Sequence, residues 1–192
     1  MNFLAHALLS EPYAHSLIGN LGGDFVKGPL RSQELHPRVL DGVRRHRRID
    51  ALTDVHPGYA ELRPLFLPAQ RRYAGVVLDV LLDHVLWRSW PRFSSWDREC
   101  FVDGTYEVLL RHESLQPESF RRVSRRMIEA DWLRAGSSLS GVERALGRAG
   151  RRARRPVDLG LALERVADQP GVKEVLLGVL ASVQACIEDV RP

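Results

Sequence analysis

The chain has 192 residues, a formal charge of +4 at pH 7, 44% hydrophobic residues and 27% charged ones. That balance suits one domain with a full core and excludes a disordered chain. Two cysteines, Cys100 and Cys186, exclude a disulfide framework or a cysteine-based zinc site. The opening residues lack a signal-peptide pattern, and no run approaches the roughly 18 apolar residues of a membrane span, so the expectation is a soluble, cytoplasmic protein with no membrane partner.

The helical period recurs in nearly every informative window, and no run alternates as a strand does. Residues 3–9 and 13–26 read as two helices, with Pro12 near the start of the second and Gly22-Gly23 placed to loosen or end it before Asp24. Residues 30–36 connect, and Pro37 opens the helix that carries His46 and Asp50. Pro57, Pro64 and Pro68 break the next stretch into short pieces around residues 59–66. Residues 73–90 form a strong helix closed by Pro91. After Ser94-Ser95 come helices over 100–111 and 120–133, the second with Phe120, Val123 and Met127 as its stripe. A helix over 139–149 ends at Gly150, before the basic run Arg151-Arg152-Ala153-Arg154-Arg155-Pro156. Residues 157–167 and 172–190 complete the chain, and Val172, Leu176, Val179, Val183 and Ile187 share one side. With no internal repeat and no linker, the expected architecture is a single all-α domain over residues 1–192.

Two of these helices carry metal-ligand side chains where core residues belong. Val39 and Val43 set an apolar face, and seven residues on from each lie His46 and Asp50. Val76 and Val80 set a second face whose next members are Asp83 and Trp87, with Asp79 one turn before Asp83 and His84 beside it. A carboxylate buried without a partner costs several kcal/mol or neutralises itself. A divalent cation between the helices is the simplest compensator, and oxygen and imidazole ligands without thiolate suit Mn²⁺, Mg²⁺, Fe²⁺ or zinc. The plainer alternative pairs His46 with Asp50 and leaves Asp79 and Asp83 to neighbouring arginines; the joint appearance of both pairs favours the cation. Asp24, after the glycine-containing segment 19–23, reads as a further ligand, a base, or a turn residue bonded to its own backbone. His6 taken alone reads as a surface or satisfied core residue, and Asn20 as a helix cap or a polar site residue.

Lysine occurs only at Lys27 and Lys173, so the positive charge is almost wholly guanidinium, which grips carboxylate or phosphate in bidentate fashion. A high-GC genome explains much of that total, but not the clustering. Arg44, Arg45, Arg47 and Arg48 flank His46 and would ring the mouth of a site there. Arg121 to Arg126 fit a solvated helix face equally well. Nucleic acid is the generic partner of such clusters, yet no aromatic platform or known nucleic-acid module accompanies them, and an acidic protein fits as well. Walker, dinucleotide and nucleophile-elbow patterns are absent from the sequence.

Four ordered motifs carry a resemblance. Met1-Asn2-Phe3-Leu4-Ala5-His6, Gly19-Asn20-Leu21-x-x-Asp24-Phe25-Val26, His46-Arg47-Arg48-Ile49-Asp50-x-Leu52-Thr53-Asp54 and Leu78-Asp79-x-x-x-Asp83-His84 resemble the bacterial acyl carrier protein phosphodiesterases. The likeness covers roughly the first ninety residues. It implies a helical hydrolase related to the HD-type metal-dependent phosphohydrolases, with the doublet reversed to Asp83-His84. The implied reaction frees 4′-phosphopantetheine from a serine of holo-acyl carrier protein, with Mn²⁺ as the expected metal and Mg²⁺ or another divalent ion as substitutes. The motif positions, together with the face argument, imply Asp24, His46, Asp83 and His84 as ligands. Asp50 and Asp79 become ligands, orienters or a base, and His6 becomes a ligand or the acid for the leaving serine oxygen. Arg44, Arg47 and Arg48, with Asn20, are expected to meet the phosphate or the acidic carrier. Two rivals remain: a phosphohydrolase acting on a nucleotide or other phosphodiester, and a non-catalytic Arg-rich binding module.

Overall fold

The computed structural model describes residues 1–152 and 158–189. Among them the chain forms ten α-helices and no strands: α1 Phe3–Leu8, α2 Ala14–Leu21, α3 Pro37–Asp54, α4 Pro57–Leu62, α5 Ala74–Arg88, α6 Arg98–Arg111, α7 Glu118–Glu129, α8 Leu139–Arg152, α9 Gly160–Ala167 and α10 Val172–Glu188. The all-α expectation holds. Residues 153–157, which include most of the basic run after Gly150, lie outside the described residues.

α5 is the axis of the molecule and packs against α1, α8, α9 and α10. It is apolar around most of its circumference, as a buried helix must be, with Val77, Leu78, Leu81, Leu82 and Leu86 at or near zero exposure. Its Val76–Val80 stripe differs from the expectation of a core face. Val76 is 41% exposed, and the stripe lines a cavity instead.

α2 and α3 make the closest helix pair. At their crossing a Cβ on Gly19 would stand 2.1 Å from Val39 O and 2.8 Å from Gly42 Cα, so the backbones touch with no side chain between them. α3 and α4 start by the same device: His36 and His56 each accept a backbone N–H through Nδ1, from Arg38 and Gly58, ahead of a proline at the first helical position.

The second helix is shorter than expected. It stops at Leu21, and Gly23–Phe25 form a single 3-10 turn that carries Asp24 back across α3. α7 begins at Glu118, directly after Pro117, and ends at Glu129, because Asp131 adopts a left-handed conformation (φ 47°) that a helix cannot continue through. No single helix among the described residues is long and apolar enough to cross a membrane.

Candidate metal centre

His6, His46 and Asp50 converge, with one ligand atom from each lying within 4.8 Å of the others. α3 supplies two of them, one turn apart, and α1 lays the third on top, so that the two imidazole rings stack at 4.2 Å between centroids. His6 Nε2 lies 3.1 Å from Asp50 Oδ1, and His46 Nε2 lies 3.1 Å from Asp50 Oδ2 and 3.5 Å from Asp24 Oδ1. The Met1 amino group rests on the same carboxylates, 3.0 Å from Asp50 and 3.4 Å from Asp79.

Asn20 fixes how His6 is presented. Its Nδ2 donates to the His6 backbone oxygen at 2.8 Å, which turns its Oδ1 toward His6 Nδ1, also at 2.8 Å. A carbonyl can only accept, so His6 Nδ1 carries the hydrogen and Nε2 of the neutral ring presents a lone pair to Asp50. Burial lowers the His6 pKa below the ordinary imidazole range and so favours that neutral form. A lone pair facing a carboxylate oxygen at 3.1 Å needs a positive charge between them. The cluster already stabilises such charge. Burial works against a proton on His46, yet hydrogen bonds to Asp24 and Asp50 outweigh it and push that pKa up to about 9. Asp50 is held well below the carboxylate range: burial opposes its charge, but the hydrogen bond from His46 and the Met1 ammonium 3.0 Å away prevail. His46 hydrogen-bonding lowers Asp24 too. His46 Nδ1 is buried without a partner among the described residues, so on that side the ring is held by stacking on His6 and by the close approach of Gly23. A nitrogen-rich, thiolate-free donor set that gathers positive charge fits a divalent cation.

The expected ligands divide. His46 and Asp24 are in the cluster, Asp24 at its open edge with a side chain 72% exposed. Asp83 is one helix away and fully buried, with Oδ2 accepting from Leu4 N at 2.9 Å and Oδ1 from Ala5 N at 3.0 Å. It therefore caps the start of α1, a task that Asn2 at the N-cap does not perform. Burial raises the Asp83 carboxyl to about 7 despite those two bonds. His84 Nδ1 is hydrogen-bonded to Gly136 O at 2.6 Å. Asp79 accepts the Tyr59 hydroxyl at 2.8 Å.

The arginines expected at the mouth hold backbone or neighbours. Arg47 donates to Val26 O and Gly28 O at 2.9 and 3.0 Å, Arg48 donates to Cys186 O, and Arg44 pairs with Asp41. The residue least prominent in the sequence, taken alone, is His6. Its signal was there: one polar residue within Leu4-Ala5-His6-Ala7, a run buried throughout.

Beside the cluster lies a cavity of about 260 Å³, lined by Met1 to Phe3, Asp24, the α5 stripe Val76, Asp79, Val80 and Asp83, Trp132, and the facing side of α8.

The sequence profile described as acyl carrier protein phosphodiesterase matches residues 1–173. Proteins of that name from Photorhabdus laumondii, Yersinia enterocolitica and Escherichia coli O139:H28 are each 36% identical to the chain, over 134, 157 and 156 residues. The alignments cover 69%, 79% and 80% of this chain and 67%, 79% and 80% of the relatives. No solved structure matches.

Proposed function

Because the chain belongs to the acyl carrier protein phosphodiesterase family, we propose that it cleaves the phosphodiester joining 4′-phosphopantetheine to a serine of holo-acyl carrier protein, using Mn²⁺ held by His6, His46 and Asp50 with Asp24 at the rim. The observation that carries this reading is the His6 lone pair turned on Asp50 at 3.1 Å beside His46. When bound, a divalent cation supplies Lewis-acid polarisation of the phosphodiester and lowers the pKa of water in contact with it.

The chain's own residues do the rest. Asn20 keeps His6 in the tautomer whose Nε2 is free. Asp24, ionised and open to solvent, accepts the proton of the attacking water and returns one to the departing serine oxygen. Water's oxygen bonds to phosphorus as the serine ester bond breaks, giving apo-carrier and 4′-phosphopantetheine. Asp83 holds α1, and hence His6, in place. The reversed Asp83-His84 doublet belongs, in this reading, to an HD-like helical domain in which both residues support the site from behind. Exposed free thiols at Cys100 and Cys186 suit a reducing cytoplasm.

The test is to incubate metal-stripped protein with holo-acyl carrier protein, with and without Mn²⁺, and weigh the carrier. Loss of the phosphopantetheine mass that needs Mn²⁺ and vanishes in His46→Ala supports the reading. An unchanged carrier mass with Mn²⁺ bound rejects it and turns attention to nucleotide phosphodiesters.

A further inference from the structure

The cavity beside the cluster lies between two helix faces. On α5, Val76, Asp79, Val80 and Asp83 recur at helical spacing, and on α8 they face Gly141, Val142, Ala145, Arg148 and Ala149. Small residues at 141, 145 and 149, one turn apart, leave the space open. α8 is seated by contact rather than by chance: a Cβ on Gly141 would stand 1.9 Å from Ala135 O, so only glycine lets the helix start so close to the preceding turn. Trp132 closes the floor, with the Arg148 guanidinium 5.1 Å from its ring centre.

The chemistry of the walls selects the occupant. At about 260 Å³ the space falls just short of the roughly 300–1,000 Å³ of ordinary small-molecule sites, which excludes a folded protein and suits a slender chain. Asp79 repels a free phosphate but accepts from amide N–H or hydroxyl groups. Val76, Val80, Val142 and Trp132 take apolar carbon. Asp24 belongs both to this wall and to the cluster, 3.5 Å from His46 Nε2, so a chain lying here presents its phosphate end to the metal ligands.

Resting on the function proposed above, we infer that this α5–α8 cavity is the binding site for the uncharged, amide-bearing arm of the substrate. Specificity for a carrier-linked arm over other phosphodiesters is set here rather than by His6, His46 and Asp50. The contacts that choose the substrate are those of α8, and the cluster itself is indifferent to what lies beyond the phosphate.

The test uses the full-length Mn²⁺-loaded protein with holo-acyl carrier protein, free pantetheine as a phosphate-free competitor, and Ala145→Trp to fill the cavity. Wild-type cleavage of the carrier is measured first; if it is absent, the proposed function fails before the cavity is in question. Given cleavage, Ala145→Trp should bind Mn²⁺ as wild type does, raise KM for the carrier about tenfold or more with kcat little changed, and abolish competition by pantetheine. Wild-type KM and competition in that variant, with Mn²⁺ bound, overturn the inference. If Ala145→Trp loses Mn²⁺, the smaller Ala149→Leu is read in the same way. Loss of Mn²⁺ in both would show that cavity and cluster are one packed unit and would also overturn it.

Discussion

Gly23 lies against the ring of His46 so closely that a Cβ there would stand 2.2 Å from Cγ and 2.4 Å from Cδ2. Its φ is not in the left-handed region, so glycine is required for space and not for backbone conformation. The missing side chain is what allows the turn bearing Asp24 to fold over α3 and meet His46 from the far side of Asp50. Gly23→Ala should therefore leave the helices intact, as circular dichroism would show. It should cut carrier cleavage about a hundredfold, the penalty typical of a misplacement near 1 Å. Wild-type activity in that variant would mean that His46 has room the structure does not give it.

Asn20 makes a second prediction. Asn20→Ala removes the group that sets the His6 tautomer, and second partners of metal-bound histidines typically change metal affinity by about 10–100-fold. Mn²⁺ titration followed by electron paramagnetic resonance should show weakening of that order. Unchanged affinity would remove His6 from the ligand set.

Metal binding should release a proton. With its pKa near 9, His46 is protonated at pH 7.5 in the absence of metal, and binding a cation through Nε2 displaces that proton. Titration of chelator-treated protein with Mn²⁺ in weak buffer should liberate about one proton per ion at that pH. The yield should fall as pH rises through 9. His46→Ala should abolish it, and proton release unaffected by that change would place the ion elsewhere.

Asp83 predicts a pH dependence of stability. Its carboxyl is raised to about 7 in the folded protein by burial, against roughly 3.9 in an unfolded chain. The unfolded state therefore loses its proton first, and the stability present below about pH 4 declines until the pH passes about 7. Denaturant unfolding of the metal-free protein across that window should show the decline. Asp83→Asn should flatten the curve while losing part of the α1 cap. An equal slope in both proteins would assign the pH dependence to another group.

Arg47 separates two roles. Its donors serve the carbonyls of Val26 and Gly28, so Arg47→Met should lower stability by about 1–2 kcal/mol and leave KM for the carrier unchanged. A raised KM with unaltered stability would instead put the guanidinium on the substrate.

The legible part of this protein was the part written in periodicity. The α3 face ran from Val39 and Val43 to His46 and Asp50 as the heptad spacing required, and the glycines between positions 19 and 23 marked two close approaches, one to the α3 backbone and one to the His46 ring. Spacing said less about α5, because that helix is apolar on nearly every side. Val76 and Val80 looked like a core stripe but line a cavity. Nor does spacing reveal a bond across 79 positions, and so the engagement of Asp83 with the Leu4 amide could not be read from the doublet it shares with His84. The arginines were hard to read for a related reason: a guanidinium finds a backbone carbonyl as readily as a phosphate, and sequence does not say which is nearer.

The backbone contact of Gly19 with Gly42 reaches beyond packing. With no side chain between the two helices there is no rotamer to flip and no gap for water to enter, so α2 and α3 are expected to open only together. Asn20, Asp24, His46 and Asp50 all lie on that pair or on the turn leaving it. In hydrogen-exchange terms, its amides should be among the last to exchange, persisting after α8 and α9 have begun to open. Most of the metal-holding side chains would then keep their relative places while the wall that chooses the substrate comes and goes.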